Sequence, residues 1–359
     1  MGTQEFAGRA AVAGIGTTAL TRRSGRTELE LAAEACRAAC ADAGLAPAEV
    51  DAVLSYHLND SAPVVQVARA LGIERLGWHN DLAGGGTQAA SILGDAALLI
   101  HAGLARHVLI YRALNGRSGR RMNTVSTGPQ EGYTYGLAGP VPLFALAATR
   151  YLHDTGLGAE HLHAVVAQSR ENAKANPRAL RREPLELAGY LARPYVATPL
   201  RTVDCCQETD GACALLVSGA LDGPRVRAVV RGGGPGCSAM DRAADVTAIF
   251  SAHVAPMLWD ASGMRPGDVD VFLAYDAYSW LVPRQLEDFG LAERGELGAY
   301  LLERRHAWVN PHGGLLSEGY VHGLNNTVQA VRELRGGAHE VALVTGFGGS
   351  YGSAALLTA

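Results

Sequence analysis

Two stretches of the chain, 219 residues apart, carry one pattern: Ala43-Gly-Leu-Ala-Pro-Ala-Glu-Val-Asp-Ala-Val-Leu54 and Ser262-Gly-Met-Arg-Pro-Gly-Asp-Val-Asp-Val-Phe-Leu273, with Pro47 and Pro266 in register. Each follows an apolar helical stretch (Leu29 to Ala43; Thr247 to Ala261) and leads into an apolar run that reads as a buried strand. A second pair, Ile100 to Tyr111 and Leu334 to Thr345, reads in both copies as a helix end, a glycine stop and a strand. Two matches in the same order imply a duplicated βα half. Continuous apolar strands alternating with helices predict parallel sheets buried on both faces.

The 359 residues fit one large α/β unit built from two such halves. The boundaries read as a first half at 1–114, an insertion at 115–203 and a second half at 204–359, with a strand at 204–218 assignable to either half. The insertion carries Gly, Pro, Arg and Tyr clusters and two helical stretches, Val141 to Thr155 and His161 to Ala175. A segment of this length without strand rhythm predicts a lid or specificity region. Tyr133, Tyr135 and the segment Arg117 to Arg121 are its candidate ligand contacts; the alternative is an exposed loop.

Several function classes fall away. A net charge of −4 gives no electrostatic case for nucleic acid. Met1 to Arg9 has no apolar core after a basic start, and apolar stretches such as Ala89 to Leu99 are too short to span a bilayer, so a cytoplasmic protein without membrane attachment is expected. The six cysteines (Cys36, Cys40, Cys205, Cys206, Cys213, Cys237) lack paired zinc spacing. Cys36 and Cys40 share a helix face and read as core. The only lysine, Lys174, lies at a polar helix end before Pro177, which argues against Schiff-base chemistry. His161 and His163 are two apart and point to different sides of a helix, so no metal is expected. Gly14-Ile-Gly16 lacks a third glycine and is a poor dinucleotide fingerprint, and Gly232 to Gly236 lacks the Lys-Ser/Thr of a phosphate loop.

The opening Ala11-Val-Ala-Gly-Ile-Gly16, Asp204-Cys-Cys206, Asp210-Gly-Ala212 and the segment Asn310-Pro-His-Gly-Gly314 running on to Tyr320-Val-His-Gly323 occur in this order over almost the whole chain. Together with the duplicated halves they resemble the thiolase superfamily. The nearest resemblance is to the thiolase-like lipid-transfer proteins related to sterol carrier protein thiolase. It implies a thiolase-like α/β fold, two βα halves in a layered αβαβα core, and a homodimer.

The chemistry departs from that pattern. The thiolase nucleophile, a cysteine at the head of the first long core helix, aligns with Gly86 in Asn80-Asp-Leu-Ala-Gly-Gly-Gly-Thr-Gln-Ala-Ala90, and no cysteine lies between Cys40 and Cys205. The second thiolase cysteine falls on Gly346. The Asn-Glu-Ala-Phe motif reads Tyr275-Asp-Ala-Tyr278, the histidine of Gly-His-Pro reads Tyr320, and Tyr351 follows just past Gly346.

Without a thiolate there is no acyl acceptor. Retro-aldol cleavage of a β-hydroxyacyl thioester produces the same stabilised enolate with no covalent intermediate. The resemblance implies this activity, because the lipid-transfer branch includes aldolases that shorten steroid side chains as CoA thioesters, working with an OB-fold partner of the DUF35 type. No cofactor beyond the substrate's own CoA is implied.

Tyr320 and Tyr351 are the candidate acid/base phenols, with Tyr275 close by. A phenol of pKa ~10 needs a cationic or hydrogen-bonding neighbour to act as a base, and His312 and His322 flank Tyr320. His312 is also a candidate donor to the thioester oxygen, with Asn310 ordering its turn and Gly313-Gly314 admitting close backbone approach; the alternative is a turn histidine capping a carbonyl. Gly84, Gly85 and Gly86 are expected to let the ligand reach the backbone. For each tyrosine the alternative is a core or interface residue with a bonded hydroxyl. Two other functions stay open: a non-catalytic acyl-CoA or lipid-binding scaffold subunit, and an acyltransferase using Thr87. Tyrosines converging on one cavity favour the aldolase; an apolar tunnel without convergent polar groups favours the scaffold.

Overall fold

The computed structural model describes residues 4–119, 121, 130–234 and 243–359. Cys237, Arg120 and the end of the Gly232 to Gly236 run lie outside the described residues.

The first half opens with β1 (Ala11–Thr17) and α1 (Glu28–Asp42). Thr27 and Glu30 start the helix reciprocally: the Thr27 hydroxyl accepts from the Glu30 N–H, and the Glu30 carboxylate accepts from the Thr27 N–H. The α1 helix lies so close on β1 that a Cβ at Gly14 or Gly16 would stand 2.1 or 1.9 Å from a backbone carbonyl oxygen of the helix. Those glycines serve helix–strand packing. Then follow β2 (Ala52–His57), α2 (Val64–Leu71), β3 (Trp78–Ala83), α3 (Gln88–His101) and β4 (His107–Asn115).

The insertion contains α4 (Gln130–Thr134), α5 (Pro140–Thr155), α6 (Ala159–Ala173) and α7 (Leu187–Leu191), and a small antiparallel pair, β5 (Tyr195–Ala197) with β6 (Leu200–Arg201), that its sequence did not announce. Lys174, at the end of α6, is ion-paired to Glu171 at 2.6 Å on the surface. Tyr133 and Tyr135 are exposed.

The rest of the chain forms β7 (Asp210–Ser218), β8 (Arg225–Gly233), α8 (Ser251–Ser262), β9 (Val271–Leu273), α9 (Leu281–Asp288), α10 (Leu297–Leu302), α11 (Gly314–Ser317), α12 (Leu324–Arg335), β10 (Val341–Phe347) and β11 (Tyr351–Thr358). Among the described residues the main sheet runs β3-β2-β4-β7-β1-β8-β11-β10-β9. Its two parts repeat each other: β2, β4, β7 and β1 occur in the same spatial order as β9, β10, β11 and β8. The sequence repeat falls where this requires, since Pro47 and Pro266 each open one 3-10 turn leading into β2 and β9. The parts join through a single residue pair, Ala11 with Arg225.

One expectation is corrected. The sheet is mixed: β2 is parallel to β3 and β4, and β9 to β10, but β7 and β11 return antiparallel beside them. Strand β7 lies between β4 and β1, which places the strand at 204–218, left open between the halves by the sequence, with the first.

Helices α3 and α12 pack between the two parts of the sheet, while α1 covers the outer face of the first and α8 that of the second. This stacking is αβαβα. It buries both middle helices almost completely and points their N-termini at one place. Among the described residues no helix is long and apolar enough to cross a membrane.

Candidate active site

The site forms where the heads of α3 and α12 meet the segment leaving β9. Tyr275 is set there by its backbone: its N–H donates to Thr345 Oγ1 at 2.9 Å, and its carbonyl accepts from Gln285 Nε2 at 3.1 Å. Its ring is 2% exposed. The space it fills is informative. A Cβ added at Gly86 would lie 2.1 Å from the Tyr275 hydroxyl oxygen, and one added at Gly323 would lie 2.8 Å from its ring. The phenol therefore occupies the volume that a side chain at position 86 would need.

Tyr320 completes a pair. The two hydroxyl oxygens are 2.8 Å apart, and the rings meet edge to face. Tyr320 is also buried, and its N–H donates to Thr209 Oγ1 at 2.6 Å. Burial pushes both phenols well above their ordinary value, against the partial relief that the shared hydrogen bond gives Tyr275. Burial thus favours the neutral phenol at both positions, the form that can donate.

His322 packs against Tyr320, ring centroids 4.9 Å apart, and against Gly85. Its backbone is left-handed, φ 46°, and its carbonyl accepts from the Tyr56 hydroxyl at 3.0 Å. On its far side lies Arg112, whose side chain is fully buried. Arg112 Nη2 stands 2.9 Å from His322 Nδ1 and 2.6 Å from Asp60 Oδ1, while Nη1 donates to the Ala113 carbonyl. Burial, and then the guanidinium, push His322 down to about 3. Of the cationic or hydrogen-bonding neighbour sought for Tyr320, His322 supplies a ring contact, and Arg112 stands behind that ring.

His312 is displaced from its expected role. It is 2% exposed, with Nε2 facing Asn326 Oδ1 at 3.2 Å and Glu318 at 3.6 Å, inside a polar cluster under the Tyr320 segment. That cluster orders the Glu318 turn: Asn176 and Asn325 donate to its carboxylate. Asn310 does order its turn, donating to the Ala274 carbonyl at 3.0 Å from a left-handed backbone. Gly313 and Gly314 admit close approach of protein and not of ligand. A Cβ on Gly313 would meet Ala173 of α6 at 2.6 Å, and one on Gly314 would meet Asp276 Oδ2 at 2.2 Å.

Gly346, the position of the second thiolase cysteine in the resemblance, faces Gly86. A Cβ there would lie 2.5 Å from the Gly86 carbonyl and 2.6 Å from Ser353 Oγ, so a cysteine has no room. Gly84 takes φ 136° to turn the chain into α3. Tyr351 heads β11 and is 45% exposed, outside the buried hydroxyl pair. Strand alternation puts it on the face of Ser353, whose hydroxyl donates to the Thr87 carbonyl at the head of α3. It therefore stands at the rim of the site. Thr87 itself is buried against Gly348.

Sequence reasoning missed three groups. Arg112 was detectable as an arginine inside the apolar run Val108-Leu-Ile-Tyr-Arg-Ala-Leu114; its partner Asp60 carried no such signal. The third is Asp276, 1% exposed, whose carboxylate accepts from the Leu315 N–H at 2.8 Å and which burial pushes up to about 7.

The arrangement offers two neutral phenols sharing a hydrogen bond, a third at the rim, and a fixed cation behind them. It can donate protons and hydrogen bonds to an oxyanion or carbanion, and it carries glycine, Gly86 and Gly346, where the resemblance places the two thiolase cysteines.

Known proteins align with this geometry. Residues 236–358 match the thiolase C-terminal domain-like family. The chain is 34% identical to the 17-hydroxy-3-oxo-4-pregnene-20-carboxyl-CoA lyase of Mycobacterium tuberculosis, over 92% of each chain. It is 35% identical to the steroid side-chain-cleaving aldolase of Thermomonospora curvata, over 92% of this chain and 91% of that one. Among solved structures the Ltp2-ChsH2(DUF35) aldolase superposes with a TM-score of 0.91 at 33% identity, covering 99% of both chains.

Proposed function

The chain belongs to the thiolase superfamily, in its branch of thiolase-like steroid side-chain aldolases, and from that premise we propose that it catalyses retro-aldol cleavage of a β-hydroxyacyl-CoA thioester with a steroid-derived acyl group. The observation that carries this reading is the Tyr275 phenol standing in the volume of the missing side chain at Gly86, bonded to Tyr320.

The reaction asks for four events. The β-hydroxyl loses its proton, the Cα–Cβ bond breaks to leave a ketone, the electron pair moves into the thioester as an enolate, and the α-carbon takes a proton. The buried phenols suit the last two, because both are held neutral and can donate where negative charge develops. Tyr351, at the rim, is assigned to the β-hydroxyl, where its hydroxyl oxygen accepts the substrate's hydrogen bond and relays the proton to solvent. Solvent then returns that proton to the buried pair, and the cycle closes without a cofactor.

Two partners enter the proposal. A DUF35-type protein is the first, by analogy with the aldolase that shares the fold over almost its whole length. The second is another copy of this chain along β3, the terminal strand of the sheet, whose Trp78 is 42% exposed; an unpaired strand edge of this kind invites pairing.

The test incubates the purified chain, with and without a DUF35-type partner, with a steroid β-hydroxyacyl-CoA, and follows release of the ketone and of the shortened acyl-CoA. Both products in equal amounts are expected. Tight acyl-CoA binding with no cleavage under either condition returns the chain to the scaffold reading.

A further inference from the structure

The buried guanidinium of Arg112 has no part in the steps above, yet it lies directly behind them. Its side chain is fully buried, and Asp60 beside it is 10% exposed. A buried ion pair is an expensive way to obtain stability alone, since apolar residues of equal volume often do as well or better. Its contacts point to another use. Arginine is a donor only, so the short approach of Nη2 and Nε to His322 Nδ1, 2.9 and 3.3 Å, makes Nδ1 the acceptor and leaves the imidazole proton on Nε2. The Asp60 carboxylate, fixed in turn by the Leu58 N–H at 2.9 Å, keeps the guanidinium from rotating away.

We infer that the Asp60–Arg112 pair is a positioning device for the catalytic phenols: it fixes His322 as a neutral imidazole protonated on Nε2, and through that ring holds Tyr320 against Tyr275. The inference rests on the aldolase reading for the word catalytic, and on contacts alone for the tautomer. Among the described residues, the titratable and charged groups facing His322 include Arg112 from β4, Asp60 from the turn after β2, Tyr56 from β2 and Tyr320 from its own segment. Gly85, from the turn before α3, adds none. An imidazolium would have to point an N–H at the guanidinium, so the ion pair excludes the charged form. Its consequence is a phenol site that no histidine titration disturbs.

Nitrogen NMR of the wild-type chain labelled at histidine tests the tautomer directly, with His322→Gln identifying the signals. The expected result is one neutral form protonated on Nε2, unchanged between about pH 5 and 8. A proton on Nδ1, or a titration within that range, overturns the inference, and this reading needs no variant of Arg112 to fold. Kinetics test the positioning. Arg112→Met should lower kcat by about 10²-fold with KM held within about twofold, and its kcat should gain an acid limb near the ordinary histidine value of ~6.5. Arg112→Lys, which keeps the charge, should recover part of kcat and lose that limb. An Arg112→Met enzyme with wild-type kcat and an unchanged pH profile refutes the device. If the wild-type chain cleaves no β-hydroxyacyl thioester, the aldolase reading fails, while the NMR result still decides the tautomer.

Discussion

Gly86→Ala is the smallest change that tests the exchange of thiolate for phenol. The new methyl carbon would lie 2.1 Å from the Tyr275 hydroxyl oxygen, 2.3 Å from Cζ and 2.6 Å from Cε2. Ordinary contact needs about 3.5 Å or more, so the ring must retreat by more than an ångström. It has little freedom to do so, because Gly323 closes one side, Phe347 packs alongside, and the hydroxyl is bonded to Tyr320. Overpacking of this kind costs ~1–3 kcal/mol, and breaking the alignment of a reacting group by that distance costs about 10²-fold in rate. Thermal unfolding and initial rates of ketone release read both effects. The control is the double variant with Tyr275→Ala. Tyr275→Ala alone should cost about 3–5 kcal/mol for the cavity, and with the ring gone the methyl no longer collides. The double variant should then be more stable than the sum of the singles by about 0.5–3 kcal/mol. Wild-type stability and turnover in Gly86→Ala, or strict additivity in the double variant, would refute the steric argument.

The other predictions are shorter. Tyr275→Phe and Tyr320→Phe each remove one hydroxyl of the pair and should reduce turnover by about 10²–10⁴-fold while costing about 1–3 kcal/mol for the unpaired partner, read by steady-state rates and urea unfolding. Tyr351→Phe should lose turnover with stability changed by less than about 0.5 kcal/mol, as at an exposed position; full activity would remove Tyr351 from the mechanism. Asp276, raised by burial to about 7, holds a proton in the folded chain that the unfolded chain releases above its ordinary 3.8. Its contribution to stability is thus fully present below that value and is lost as pH rises through 7. Wild-type stability should fall relative to Asp276→Asn between about pH 5 and 8, and parallel urea titrations would contradict this. Trp78→Asp, on the exposed edge of β3, should convert a dimer to a monomer in sedimentation without loss of helical signal, and an unchanged mass would move the interface elsewhere.

The sequence repeat placed β2 against β9 and β4 against β10, because each copy carries its own proline, glycine and apolar strand. Strand β7 was harder to assign, since Asp210 to Ser218 is apolar and fits either half; only its pairing with β4 and β1 decides. The parallel expectation failed for a related reason: buried strands read alike whichever way they run. At the site, the positions of Tyr275, Tyr320 and Gly86 were legible from their order along the chain. Their meeting was not, because Tyr275 and Tyr320 are 45 residues apart and bond only through the fold. His312 misled by standing close to Tyr320 in sequence, where the turn at Gly313-Gly314 carries it into the Glu318 cluster. Arg112 and His322, 210 residues apart, form a contact that no local pattern encodes.

The sequence repeat reaches two residues beyond Leu54 and Leu273, and there it aligns Tyr56 with Tyr275. Each half thus sends a tyrosine from the end of the same strand toward the central helices. Gene duplication supplies a residue twice, and the copies here have parted company. Tyr275 lies between the heads of α3 and α12 and shares its hydroxyl with Tyr320, while Tyr56 lies under Arg112 and braces the His322 carbonyl. An inherited symmetry has been divided between a phenol bonded to Tyr320 and a phenol that steadies the residue behind it.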